Sequence, residues 1–206
     1  MGKLLSNFRT TVLLSLVLAG VMIYAFGSVS PGGFDLIFWQ AVLRWTHVGA
    51  GILWIGLLWY FNFVQIRVMP SIPAELKPAI GKHIAPEALF WFRWSALATV
   101  VAGLGVMFSR GHAYAMEVLS FGLAGGLTED QKGYTLMGIG VWLAIVMFLN
   151  VWGIIWPNQK RALGIVVVDD DAKAKAARVA MLASRTNMLL SLPMLTAMAM
   201  YQTLFG

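Results

Sequence analysis

The chain has 206 residues, 59% of them hydrophobic and 12% charged, with a mean hydropathy of +0.76. An average soluble domain carries roughly 25% charged residues, so a water-soluble fold of this composition would leave much apolar surface in water, a difficulty that a lipid bilayer removes. The absence of cysteine excludes disulfides, thiolate metal sites and covalently attached c-type haem. The net charge of +6 is distributed as a topogenic signal and argues against nucleic acid as a partner.

In chain order, Lys3 and Arg9 precede a first apolar run from about Thr11 to Gly27. A basic tail before an apolar stretch also suits a secretory signal peptide, but no clear small-x-small cleavage site ends the run, so it reads as a membrane span. A Gly- and Ser-containing turn over 28–35 leads to a second run, about 36–66. That run exceeds the roughly 20 residues a bilayer core requires, which predicts tilt or protrusion into the headgroups. A third run covers about 88–108 and a fourth about 134–156. Next, Asp169, Asp170 and Asp171 precede an alanine- and lysine-rich stretch. Acidic residues suit the positive end of a helix dipole and alanine favours helix, so a juxtamembrane cytoplasmic helix is expected from about Ala172. It continues into a fifth span, about 186–205. No run shows a sustained period of two, and lipid leaves an open backbone unsatisfied, so the spans are helices. The expected fold is all-α: a single domain over 1–206, built as a polytopic bundle of five transmembrane helices.

Charge sets the orientation. The N-terminal tail, the connection between spans two and three, and that between spans four and five together hold eleven basic residues. The opposite side holds only Arg110 and Lys132. By the positive-inside rule the N-terminus is cytoplasmic and the C-terminus periplasmic.

Ionisable residues inside spans are costly and by default suggest function. Arg44, His47 and Arg93 qualify. On the second span, steps of three and four link Gln40, Arg44, His47, Gly51, Trp54, Leu58, Asn62 and Gln65 on one face. This polar stripe should face the bundle interior or a cofactor. Arg44 and Arg93 could instead snorkel to the headgroups; the short imidazole of His47 cannot, and it either bonds a neighbouring helix or binds a ligand. His83 and His112 lie in connections. No Ser/His/Asp arrangement, HExxH, Walker loop or dinucleotide fingerprint is present.

The segment Arg44-Trp45-Thr46-His47-Val48-Gly49-Ala50-Gly51-Ile52-Leu53-Trp54-Ile55-Gly56 resembles the opening helix of the membrane domain of bacterial cytochrome-c-linked urate oxidase. Three further stretches match in order: Pro86 to Trp94, Asn150 to Lys160, and Ser184 to Asn187 with Leu192 to Met194. Relative to that family the chain is shortened, without the cytochrome c domain and without a His-Gly-Gly-Gly-Phe-Tyr segment after the first matched helix. The His-x6-Trp-x-Gly pattern is also similar to that of small membrane protoporphyrinogen oxidases that bind b-type haem. The resemblance implies an inner-membrane redox or electron-transfer protein of the oxidoreductase type, with a quinone or a periplasmic cytochrome c as electron partner. Read with the residues, it makes His47 the metal ligand of haem b, with Arg44, Gly51 and Arg93 as further cofactor-binding residues. Met147, Met194 and Met198 fall at similar depth and are candidate second ligands, and a homo-oligomer offering two His47 side chains is another route. The competing expectation is a cofactor-free accessory subunit packed against other membrane subunits of a respiratory or oxidase complex.

Overall fold

A computed structural model describes residues 2–124 and 131–205. Among them the chain is all helical, without strands. A short helix α1 (Gly2–Leu5) precedes α2 (Phe8–Val29), whose N-cap Asn7 accepts a hydrogen bond from the Thr10 N–H. A turn with Gly33 at φ +60° leads to α3 (Leu36–Trp59), capped by Asp35, which accepts from Phe38 N–H at 2.9 Å. Both caps satisfy N–H groups that the first helical turn otherwise leaves orphaned. The helical path of α3 runs on through a π-helical turn (Tyr60–Gln65), α4 (Ile66–Val68) and a 3-10 turn (Met69–Ser71). After α5 (Lys77–Ala79) and a second π turn (Ile80–Ile84) comes α6 (Ala85–Ser109), then the short α7 (His112–Leu119). Helix α8 (Lys132–Asn150) passes through a third π turn (Val151–Ile155) into α9 (Trp156–Ala162), and α10 (Asp170–Leu204) closes the fold.

Four helical segments are long and apolar enough to cross a membrane: Phe8–Val29, Leu36–Ser71, Lys77–Ser109 and Lys132–Ala162. Their outward residues, such as Ile37, Ile52, Val101 and Leu149, are exposed, a surface compatible with a lipid bilayer. The expected fifth segment belongs to the 35-residue α10, which starts at Asp170 with Asp169 as its cap, two residues before the position expected from sequence. Its apolar half is interrupted by Asn187, Ser191, Pro193 and Thr196, so it is not among the four. The connection read as a loop after the third span contains α7, whose Ala115 and Val118 are buried against Met107.

The core lies between α3, α6, α8 and α10. Trp54, Leu58, Leu89, Phe92 and Met147 pack there with Val151, Ile155 and Met194. The most extensive pair is α3 against α6, where Gly51 faces Thr99 and Gly105 faces Leu43; small residues permit this close approach. Helix α10 is tied by amides. Asn150 Nδ2 donates to Asn187 Oδ1 (2.7 Å) and to the Ala183 carbonyl, and Asn187 Nδ2 donates to the Met147 carbonyl. Asn62 Nδ2 donates to Ser184 Oγ, and Trp59 Nε1 to Ser191 Oγ. Helix α2 stands apart. It meets the rest of the fold chiefly at Gly27 and Tyr24, against Phe34 and Phe38.

Candidate functional site

The polar stripe of α3 turns toward its neighbours. Gln40 Nε2 donates to the Ser109 carbonyl and His47 Nδ1 lies 2.7 Å from the Thr99 carbonyl oxygen, both on α6. A carbonyl can only accept, so His47 Nδ1 carries the proton and Nε2 the lone pair. This contact needs Gly103: a Cβ there would lie 2.7 Å from His47 Nδ1 and 2.8 Å from Cε1. The Nδ1–Cε1 edge of the ring is thus seated in a notch of α6, and the Nε2 edge faces away from that notch.

His47 lines a cavity of about 110 Å³ bounded by α3, α6, α7, α8 and α10. Its apolar walls include Val100, Leu104, Met107, Val141 and Ile145, and its polar groups converge at one end. There Arg44 Nη1 donates to Gln202 Oε1 (3.3 Å), and Arg110 Nη1 donates to the Tyr114 hydroxyl (3.1 Å). The Arg110 guanidinium also sits 5.1 Å from the Tyr114 ring centroid, and Tyr114 donates onward to the Tyr201 hydroxyl. Burial, reinforced by the Tyr201 hydrogen bond, pushes the Tyr114 phenol up to about 12, while the bond from Arg110 pulls it down. No ion pair with a carboxylate offsets Arg44 or Arg110 among the described residues. Both arginines are exposed and line the cavity with neutral hydrogen-bond partners, so an anionic group there could pair with them.

No protein-family profile, curated protein or solved structure matches this chain.

Of the four residues assigned to the cofactor from sequence, the fold brings two to one cavity and leaves two elsewhere. Arg44 and His47 share it. Gly51 instead packs against Thr99 Cγ2 at 3.6 Å from its would-be Cβ, as a helix-contact residue. Arg93 stacks its guanidinium 3.4 Å from the Trp156 ring centroid, near Lys160, and does not line the cavity. The methionines divide likewise. Met198 lines the cavity, whereas Met147 and Met194 are core residues. Met137, Arg110, Tyr114 and Gln202 complete the site and were not singled out from sequence. The one local signal was the closeness of Arg110 and Tyr114 in sequence, across the Gly111 break between α6 and α7.

Among the described residues no group of three or more His, Cys, Asp or Glu side chains could hold a metal ion, but a porphyrin brings four nitrogens of its own. It would take an axial imidazole first and cations for its two carboxylates last. His47 with its tautomer held by Thr99 offers the first, and Arg44 and Arg110 the last.

Proposed function

We propose that the chain is a b-type haem protein of the bacterial inner membrane that takes part in electron transfer. The observation that carries this reading is the His47 Nδ1–H···O=C Thr99 bond beside a cavity that also holds Arg44 and Arg110. Haem-ligating and metal-ligating histidines are commonly held in this way by a backbone carbonyl, which sets the tautomer and raises the basicity of Nε2. In this reading His47 presents Nε2 as an axial donor, Gly103 makes room for the ring, and the two arginines neutralise propionates. Met198 and Met137 are the candidate second ligands. The bound group supplies one-electron chemistry at iron. The apolar walls keep water from the ring, and the Tyr114–Tyr201 pair closes the outer end with a neutral hydrogen-bonded contact. The likeness of the Arg44–Gly56 segment to the urate oxidase membrane domain supports the same site, and a quinone or a periplasmic cytochrome c suits it as partner.

The same proposal includes five spans, with the C-terminal half of α10 as the fifth. Eleven basic residues on one side against two on the other support a cytoplasmic N-terminus and a periplasmic C-terminus. In the bilayer an Arg at mid-depth costs about 2.5 kcal/mol or more, which further favours Arg44 facing a polar occupant.

The test is the absorption spectrum of protein purified from haem-replete cells. A Soret band is expected, and His47→Ala removes or strongly shifts it while the chain still inserts. Wild-type protein without haem absorption rejects the reading. It would favour a cofactor-free accessory subunit, which one observation supports: α2 is almost wholly exposed along its length and offers an apolar helix to a larger membrane complex.

A further inference from the structure

A second cavity lies at the opposite end of the bundle, the end that carries Arg67, Lys82, Lys160 and Arg161. Its volume is about 160 Å³, and it shares no lining residue with the His47 cavity. Two of the π turns among the described residues line it, and a third ends beside it. Phe61, Gln65 and the following Ile66 come from the first, Ala85 directly follows the second, and Ile155 ends the third. A π turn lodges an extra residue in a helix at some cost, and such turns concentrate at functional sites. Two of them lining one cavity is an arrangement that helix packing alone does not require.

The lining is neutral. No Asp, Glu, Lys, Arg or His contributes to it, so a charged occupant would be desolvated without compensation. Yet the cavity is not purely apolar. The Oε1 atom of Gln65 is buried and has no hydrogen-bond partner. An orphaned buried acceptor costs on the order of a lost hydrogen bond, and an occupant that donates to it recovers that loss. Ser184 Oγ accepts from Asn62 Nδ2, and no acceptor for its own hydroxyl proton is present among the described residues. The cavity therefore offers one unmet buried acceptor, Gln65 Oε1, beside the Ser184 hydroxyl and the Gln159 amide. Phe61 and Phe92 form an edge-to-face wall, with centroids 5.6 Å apart and planes at 86°, the kind of surface on which a flat ring packs. The rim reaches the surface at Ala177, which is exposed.

From these features we infer that the second cavity binds the headgroup of a membrane hydroquinone, with Gln65 Oε1 accepting from a ring hydroxyl. A hydroquinone is neutral, flat and apolar at its faces, and it carries hydroxyls that both donate and accept. The inference concerns binding alone and does not depend on the haem reading.

The test uses the full chain in detergent, titrated by calorimetry with decylubiquinol under anaerobic conditions, and in parallel with its bis-O-methyl ether. The ether keeps the ring and tail but has no O–H to donate. One-site saturable binding of the hydroquinone is expected, with the ether at least about tenfold weaker, the scale of one hydrogen bond to a buried group. Gln65→Leu should weaken hydroquinone binding to the level of the ether and leave the ether unchanged. Ala180→Phe, which fills the cavity, should remove both. Equal binding of the two compounds by wild-type protein would overturn the inference in favour of a slot for acyl chains, whatever the variants do. No saturable binding, or Gln65→Leu binding hydroquinone like wild type, would overturn it as well.

Discussion

His47 meets a carbonyl oxygen, and the whole arrangement depends on one missing side chain. Gly103→Ala would place a methyl group 2.7 Å from the Nδ1 atom. The ring would leave the Thr99 carbonyl, and the α3–α6 pair would spread. The expected cost is about 1–3 kcal/mol, from overpacking and a lost hydrogen bond, read as a lower midpoint in thermal unfolding in detergent. In haem-loaded protein the Soret maximum should move as well. An unchanged midpoint and spectrum would show that the notch is not needed. Tyr114 provides a second handle. Its phenol is raised from 10.0 to about 12, first by burial and then by the Tyr201 bond. The fold thus favours the neutral phenol. That contribution is complete below pH 10, where the phenol is neutral folded or unfolded, and it is lost as pH climbs from 10 through about 12. In a spectrophotometric titration of the five tyrosines, the last transition should belong to Tyr114. Tyr114→Phe should remove it and flatten the stability loss across that window. The outcome against this assignment is a Tyr114→Phe titration that keeps the transition near 12. Local spacing could bring Arg110 and Tyr114 together, but it could not show that Tyr201, far along the chain, would meet them.

At the scale of elements, α10 is held by amides where α3 and α6 use glycine. Asn187 is fully buried and bonds both Asn150 and the Met147 carbonyl. Hydrogen bonds between helices in membrane proteins contribute about 0.6 kcal/mol on average and up to about 1.7. Asn187→Leu removes two and leaves Asn150 with the Ala183 carbonyl alone, so a loss of about 1–2 kcal/mol is expected. Thr196→Val, at an exposed position whose hydroxyl bonds only its own helix, should change little. Reversible unfolding in a denaturing-detergent titration reads both, and equal effects would remove the special role of the amide pair. Helix existence was legible from composition: the long apolar runs became helices, and the acidic start of α10 appears at Asp170. The π turns were not legible. An extra residue in a helical turn leaves the apolar periodicity almost unchanged over the few residues involved, and only the neighbours across the core decide where it settles.

For the whole molecule, topology is the direct test. The chain has no cysteine, so single-cysteine variants need no background removal. Lys82→Cys and Lys173→Cys should react with a membrane-impermeant maleimide only after cells are opened, and His112→Cys should react in intact cells. Labelling of position 173 from outside would reverse the proposed orientation. The sequence alone determined the apolar helical runs, their approximate limits and the one-sided distribution of basic charge, because these depend on residue type and neighbours along the chain. It also singled out His47 and Arg44, since an ionisable side chain within an apolar run is conspicuous without coordinates. The tertiary structure decided which polar groups share a space. Arg93 went to Trp156 and Gly51 to Thr99, while Arg110, Tyr114, Met198 and Gln202 joined His47. Those partners come from helices distant in sequence, and their meeting depends on crossing geometry and on the glycine notch in α6, which no periodicity within a single helix encodes.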